Sequence, residues 1–241
     1  MNTGITFITF AINKKYHSFV KQLYDSMKEH LHFDWDLAII SDDPKAVSLK
    51  EDNCSYFEYG EAYKKEWPYP TLMRYHRIHD LRNELISPYL YMIDVDMKFV
   101  ASPGSLAYPL VGTLHPGYAH SNNLPFETNP QSTAYLGNNL NDQFLYKYFC
   151  GGFLGGRKNR FLEMAETIRR NINIDFKKGI IARWHDESHV NYYFNTSTQL
   201  TDILTPVYCY PEERVNSKDP EIINRYPIQG NPILVALNKG K

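Results

Sequence analysis

The sequence predicts an α/β fold, and three observations carry that expectation. Ile5 to Phe10 (ITFITF) is a β-branched and aromatic run of strand length. Tyr16, Phe19, Val20, Leu23, Tyr24, Met27 and Leu31 then recur at three- and four-residue steps, the spacing that gathers side chains on one face of a helix. Leu37 to Ile40 (LAII) is a second apolar run, closed by the turn-forming Ser41-Asp42-Asp43-Pro44. A strand, an amphipathic helix and a strand joined by short connections are the opening of an α/β sheet.

The remaining elements follow in order. Thr71 to Leu85 is expected to be a second helix, carrying Arg74 and Arg77. Tyr89 to Ile93 (YLYMI) is the next strand and stops at Asp94-Val95-Asp96. Gly151 to Gly156 is expected to be a glycine-rich turn region. Phe161, Leu162, Met164, Ala165, Ile168 and Ile172 mark a further helix, and His185 to Phe194 a short one beyond Trp184. From Pro206 the chain is rich in Pro, Asn and charge, the composition of loops and a terminal tail. No repeat, low-complexity tract or linker interrupts it, so one domain over residues 1–241 is expected.

Composition narrows the function. Hydrophobic residues make up 43% and charged residues 22%, a soluble globular balance. The formal net charge of -1 lacks the basic footprint of a nucleic-acid or membrane-surface binder. Three scattered cysteines with no CxxC exclude a disulfide framework and fit a reducing compartment. The start of the chain lacks the basic and apolar segments of a signal peptide, and no stretch approaches the ~20 apolar residues of a membrane span. The expectation is a soluble, cytoplasmic protein. Aromatics reach 15%, with 19 Tyr; such rings fill a core or stack on sugars and bases. No sequence feature speaks to oligomeric state.

Two clusters carry chemistry. Asp94 and Asp96 stand two residues apart directly after an apolar strand, at the sheet edge where open α/β folds bind ligands. Two hard oxygen donors with open positions suit Mg²⁺ or Mn²⁺, the remaining ligands coming from diphosphate oxygens. Trp184-His185-Asp186-Glu187-Ser188-His189 holds two imidazoles, two carboxylates and a hydroxyl. A solvated loop could hold them all. His185 and His189, four apart on a helix, could share a zinc ion, although HDESH is not HExxH. A hydrolytic triad is a further possibility, and so is a carboxylate meeting an oxocarbenium centre beside one that orients a sugar hydroxyl.

Taken together, Phe10-Ala11-Ile12 with Lys14-Lys15-Tyr16, Asp94-Val95-Asp96-Met97, Gly112-Thr113-Leu114-His115-Pro116-Gly117, Pro130-Gln131-Ser132 with Ala134-Tyr135, Gly151-Gly152-Phe153 with Gly155-Gly156, and Trp184 to His189 form a specific series. In order and spacing, over nearly the whole chain, it resembles glycosyltransferase family 6, which includes the blood-group A and B transferases and the α-1,3-galactosyltransferases. The resemblance implies a GT-A fold: one Rossmann-like α/β domain with a mixed, mainly parallel central sheet. It implies that Phe10, Ile12 and Tyr16 hold the nucleoside of UDP and that Arg74 contacts the donor. It assigns Asp94 and Asp96 to a metal, Mn²⁺ or Mg²⁺, with Val95 between them at the donor. Asn13 stands between Ile12 and the lysine pair where mammalian members have no residue.

The same resemblance places Glu187 beneath the anomeric carbon as the catalytic residue and Asp186 against the donor sugar. His115 and Trp184 fall on the acceptor side, where Glu187 also contributes. Lys239 corresponds to a C-terminal lysine that closes on the diphosphate. Cys150 and Gly152, either side of the donor-contacting Gly151, lie where the family selects its donor, and their small size favours UDP-GalNAc over UDP-Gal. The implied reaction is retaining transfer in α-1,3 linkage to a galactose-containing, fucosylated or plain oligosaccharide or glycolipid. The missing anchor implies a bacterial or viral-type soluble form acting on a surface-glycan precursor. A glycan-binding module without turnover and a nucleotide-sugar hydrolase are the alternatives.

Overall fold

In the computed structural model, which describes residues 4–137, 146–197 and 202–239, β1 (Ile5–Ala11) is buried along almost its whole length. A strand buried on both faces demands cover from both sides, and helices provide it. α1 (Lys14–His30) lays Val20, Leu23, Tyr24 and Met27 on one face of the sheet. β2 (Trp35–Ser41) and β3 (Cys54–Glu58) follow beside β1. α2 (Tyr69–Asp80) places Leu72, Tyr75 and Ile78 in the core on the other face. β4 (Tyr89–Ile93) leads through a turn into β5 (Met97–Phe99). Next come β6 (Leu110–Leu114), β7 (Phe149–Arg157) and α3 (Lys158–Lys177), whose Phe161, Met164, Ile168 and Ile172 join the α2 side of the core. α4 (Asp186–Thr196), β8 (Asp202–Leu204), β9 (Tyr210–Pro211), α5 (Pro220–Arg225) and β10 (Leu234–Ala236) complete the chain.

The main sheet has the order β3-β2-β1-β4-β7-β6-β8. β3, β2, β1 and β4 run parallel, β7 is antiparallel to both β4 and β6, and β8 is parallel to β6. The sheet is therefore mixed and mainly parallel, as expected. From β1 the chain moves outward to β2 on one side and later to β4 on the other. The carboxyl ends of β1 and β4 thus face a crevice between diverging connections, the place where open α/β sheets take ligands.

Three sequence expectations are corrected. Gly151 to Gly156 is not a turn; it is the middle of β7, hydrogen-bonded on both sides. Its glycines answer a packing demand: a Cβ on Gly155 would lie 2.4 Å from the Leu90 carbonyl oxygen and 2.5 Å from the Tyr91 ring. The second helix ends at Asp80 rather than Leu85, giving way to turns. The segment after Pro206 is not only loop. Buried Leu234 and Val235 carry β10 into a second sheet, β5-β10-β9. Flanking Pro232 and Asn231 obscure that apolar run, Ile233 to Leu237, in the sequence. Among the described residues, no helix is long and apolar enough to cross a membrane.

Candidate active site

The site begins where β4 ends. Asp94 donates its backbone N–H to the Gly152 carbonyl at 2.8 Å, and a turn closes as Met97 donates to the Asp94 carbonyl at 3.2 Å. The turn brings both carboxylates round to the crevice instead of continuing the strand. The second sheet braces it: Leu237, just past β10, donates to the Asp96 carbonyl at 2.8 Å. Gly152 lies directly beneath. A Cβ there would stand 2.6 Å from the end of Met97 and 3.2 Å from Asp94 Oδ2.

Arg74 rises from α2 into the middle of this arrangement. It donates to Asp94 Oδ1 at 3.0 Å, and its Nε lies 3.2 Å from Asp186 Oδ2. Its side chain is only 11% exposed. Burial works against the guanidinium charge, but Asp186 and Asp94 outweigh it and hold Arg74 firmly ionised. Asp186 opens α4, where the helix dipole favours a negative charge. Burial nevertheless lifts its pKa to about 6, against the downward pull of Arg74.

Glu187 follows in the first turn of α4 and has one donor on each oxygen. The Tyr148 hydroxyl donates to Oε1 at 2.9 Å, and the Gly151 N–H donates to Oε2 at 2.9 Å. Burial pushes its pKa up to about 7, the two hydrogen bonds opposing and the charges of Asp186 and Asp94 adding to the rise. Burial and Asp94 likewise raise Asp96, with Lys239 pulling the other way. Lys239 reaches back from the tail to within 3.1 Å of Asp96 Oδ2 and lies 5.6 Å from the centre of the Tyr16 ring.

These groups line one cleft of about 720 Å³, a size that suits a small-molecule ligand. Of the residues that the family resemblance assigns to the site, Phe10, Ile12, Tyr16, Arg74, Asp94, Val95, Asp96, Gly151, Gly152, Trp184, Asp186, Glu187 and Lys239 all border it. Two do not. Cys150 is buried behind the wall in the core that also holds Cys209. His115, just past β6, is packed against the rings of Tyr118 and Tyr148, and its Nδ1 accepts the Gly117 N–H at 3.1 Å. Burial lowers its pKa to about 4, so the imidazole is neutral.

Sequence reasoning missed Tyr148, the lining residues Lys65, Pro70 and Thr71, and Trp67, which stands edge-on to His185 with ring centres 5.1 Å apart. One Tyr among 19 carries no distinguishing mark. The zinc possibility fails on geometry. His185 precedes α4 with φ 54° and faces Trp67, whereas His189 is buried, 3.8 Å from Asp175. Among the described residues, no group of three or more His, Cys, Asp and Glu could hold a metal ion. Asp94 and Asp96 supply two ligands, so a cation there would take the rest from a bound ligand or water. The pair fits such an ion: both are hard oxygen donors, and the 7%-exposed Asp96 already draws the ammonium of Lys239 to itself.

Comparison with known proteins points to one family. Residues 1–226 match the family model described as Glycosyltransferase family 6. The O-antigen biosynthesis glycosyltransferase WbnI of Escherichia coli is 30% identical over 170 residues, 67% of this chain and 69% of that protein. The histo-blood group ABO system transferase 1 of Rattus norvegicus is 29% identical over 88% of this chain and 62% of its own length. The globoside alpha-1,3-N-acetylgalactosaminyltransferase 1 of Gallus gallus is 27% identical over 92% and 65%. The chain thus spans just under two thirds of these two vertebrate relatives. The mixed α/β sheet, with its carboxylates at the crevice, is the GT-A-like arrangement of a glycosyltransferase domain. On a match that covers all but the last residues of the sequence, the chain belongs to glycosyltransferase family 6.

Proposed function

We propose that this glycosyltransferase moves GalNAc, or Gal, from a UDP-sugar to a galactose-containing oligosaccharide or glycolipid in α-1,3 linkage, with retention of configuration. One observation carries the reading. Glu187, held by a donor on each oxygen, shares a single cleft with the Asp94–Asp96 turn and with the apolar wall of Phe10, Ile12 and Tyr16. That cleft offers a nucleoside site, a diphosphate site and a carboxylate for the anomeric carbon in one continuous space.

On this reading Phe10, Ile12 and Tyr16 take the uridine, and Lys239 meets the diphosphate. Asp94 and Asp96 are the residues that would hold Mn²⁺ or Mg²⁺, whose charge stabilises the departing diphosphate. Arg74 orients Asp94 and Asp186 and favours the ionised form of Asp186, and Asp186 accepts a hydroxyl of the donor sugar. Glu187 stabilises positive charge at the anomeric carbon. Retention follows either from two inversions through a Glu187 adduct or from departure and attack on one face, and both routes need that carboxylate. Gly151 and Gly152 leave room at the donor sugar, which favours UDP-GalNAc, with Cys150 supporting them from behind. His115 and Trp184 serve the acceptor. The free cysteines Cys54, Cys150 and Cys209 fit work in a reducing cytoplasm.

The test is UDP release from UDP-GalNAc and from UDP-Gal, each with and without lactose or 2′-fucosyllactose, in Mn²⁺ or in EDTA. Acceptor-stimulated turnover, faster with UDP-GalNAc and abolished by EDTA, is the expected result. Release that ignores the acceptor would make the protein a nucleotide-sugar hydrolase. Turnover that survives EDTA would remove the metal from the assignment of Asp94 and Asp96.

A further inference from the structure

Tyr148, at the entry to β7, is almost wholly buried. Its ring is enclosed by His115, Tyr118 and Phe126, with ring centres 5.7, 5.2 and 5.6 Å away. Such a cage leaves the phenol few orientations, and its hydroxyl is spent on Glu187 Oε1. With the Gly151 N–H on the other oxygen, the plane of the carboxylate is fixed from two directions. Tyr148 is the side chain in that pair, and a hydrogen bond to a charged group is worth more than a neutral one.

The geometry points to Tyr148 as a positioning residue that orients the Glu187 carboxylate and favours its ionised form. The inference rests on the role proposed for Glu187 and deepens it. The other groups around Glu187 show why such a donor is needed. Asp186, its neighbour on α4, and Asp94, at the end of β4, both repel its charge. Arg74 of α2 is engaged by those two aspartates. Tyr75 of α2 and Cys209 of the turn Pro206–Cys209 are held neutral, the tyrosine chiefly by burial and the cysteine by its hydrogen bond with Cys150 together with burial. His115 is neutral as well. Among the described residues, the hydrogen bonds that pull the carboxyl towards ionisation come from the Gly151 N–H and the Tyr148 hydroxyl.

The sign of the linkage makes this measurable without turnover. Glu187 has a folded-state pKa raised from 4.5 to about 7. Its contribution to stability is therefore fully present below the unfolded value and is lost as pH rises through the folded one. Unfolding midpoints from pH 5 to 9 for the natural protein, Tyr148→Phe, Glu187→Gln and the double variant isolate the Glu187 titration. Tyr148→Phe should move that titration upward by about one pH unit. It should also lower kcat for sugar transfer roughly 10-fold at neutral pH, with the Kd for UDP changed less than about twofold.

A Glu187 titration that stays in place in Tyr148→Phe would overturn the inference and leave Tyr148 as packing alone. Loss of stability of the same size in the Glu187→Gln background would do the same. Failure of the natural protein to transfer sugar would instead remove the proposed function, while the titration still decides the Tyr148–Glu187 contact.

Discussion

Arg74 is the residue on which the electrostatics of the cleft balance. It faces two carboxylates, and neither it nor Asp186 is more than 11% exposed at the side chain. Removing one member of such a group leaves charge buried without compensation, a loss of about 3–5 kcal/mol. Arg74→Met keeps an unbranched stem and deletes the charge. The sign with pH follows from Asp186. Its folded pKa is already raised from 3.8 to about 6 by burial, and loss of Arg74 lifts it further. Stability of the variant is retained in acid, where the carboxyl is protonated, and falls as pH rises through that higher value. Calorimetry should show the variant far below the natural protein at pH 8 and closer to it at pH 5. An equal deficit at both pH values would mean that the guanidinium acts by packing.

At the scale of elements, β7 is where residue type and conformation part company. A run of four glycines among six residues suggests a turn, because glycine is depleted from strands. The strand forms because its neighbours leave no room for side chains: Tyr91 lies across Gly155, and its ring stacks with Phe153 at 5.4 Å. That is tertiary packing, and single-residue propensity does not contain it. β1, α1, β2 and β4 were legible because each keeps one pattern over four residues or more. β5, β8 and β9, of two or three residues, offer no pattern to read. The close approach at Gly155 leads to a sharp expectation. Gly155→Ala must displace the Leu90 backbone or the Tyr91 ring, and overpacking of this kind costs about 1–3 kcal/mol. Urea unfolding should show a lower midpoint with an unchanged slope, whereas a neutral result would mean that β4 and β7 can part without loss.

For the whole molecule, the cleft draws on residues from Phe10 to Lys239, so nearly the full length of the chain must fold before the site exists. Most of its members were legible as short motifs, since a carboxylate pair or a Trp-His-Asp-Glu run is conspicuous against ordinary composition. Their mutual contacts were not: no spacing places Arg74 on both Asp94 and Asp186, or Tyr148 on Glu187. The tail was legible least, and it ties the molecule together. β10 pairs with β5 directly behind the Asp94–Asp96 turn, and Leu237 holds the Asp96 carbonyl before Lys239 reaches its carboxylate. Tether and charge are thus two separate contributions from one segment. Lys239→Ala removes the charge and leaves the strand, so UDP affinity should fall roughly 10-fold, about 1.4 kcal/mol, with amide exchange in residues 97–99 unchanged. Deleting the segment from residue 234 onward removes both. UDP affinity should then fall further and exchange in 97–99 should rise, while β1 and β2, which the tail does not touch in the sheet, stay protected. If Lys239→Ala alone loosened residues 97–99, the ion pair and not the strand pairing would be what holds the carboxylate turn in place.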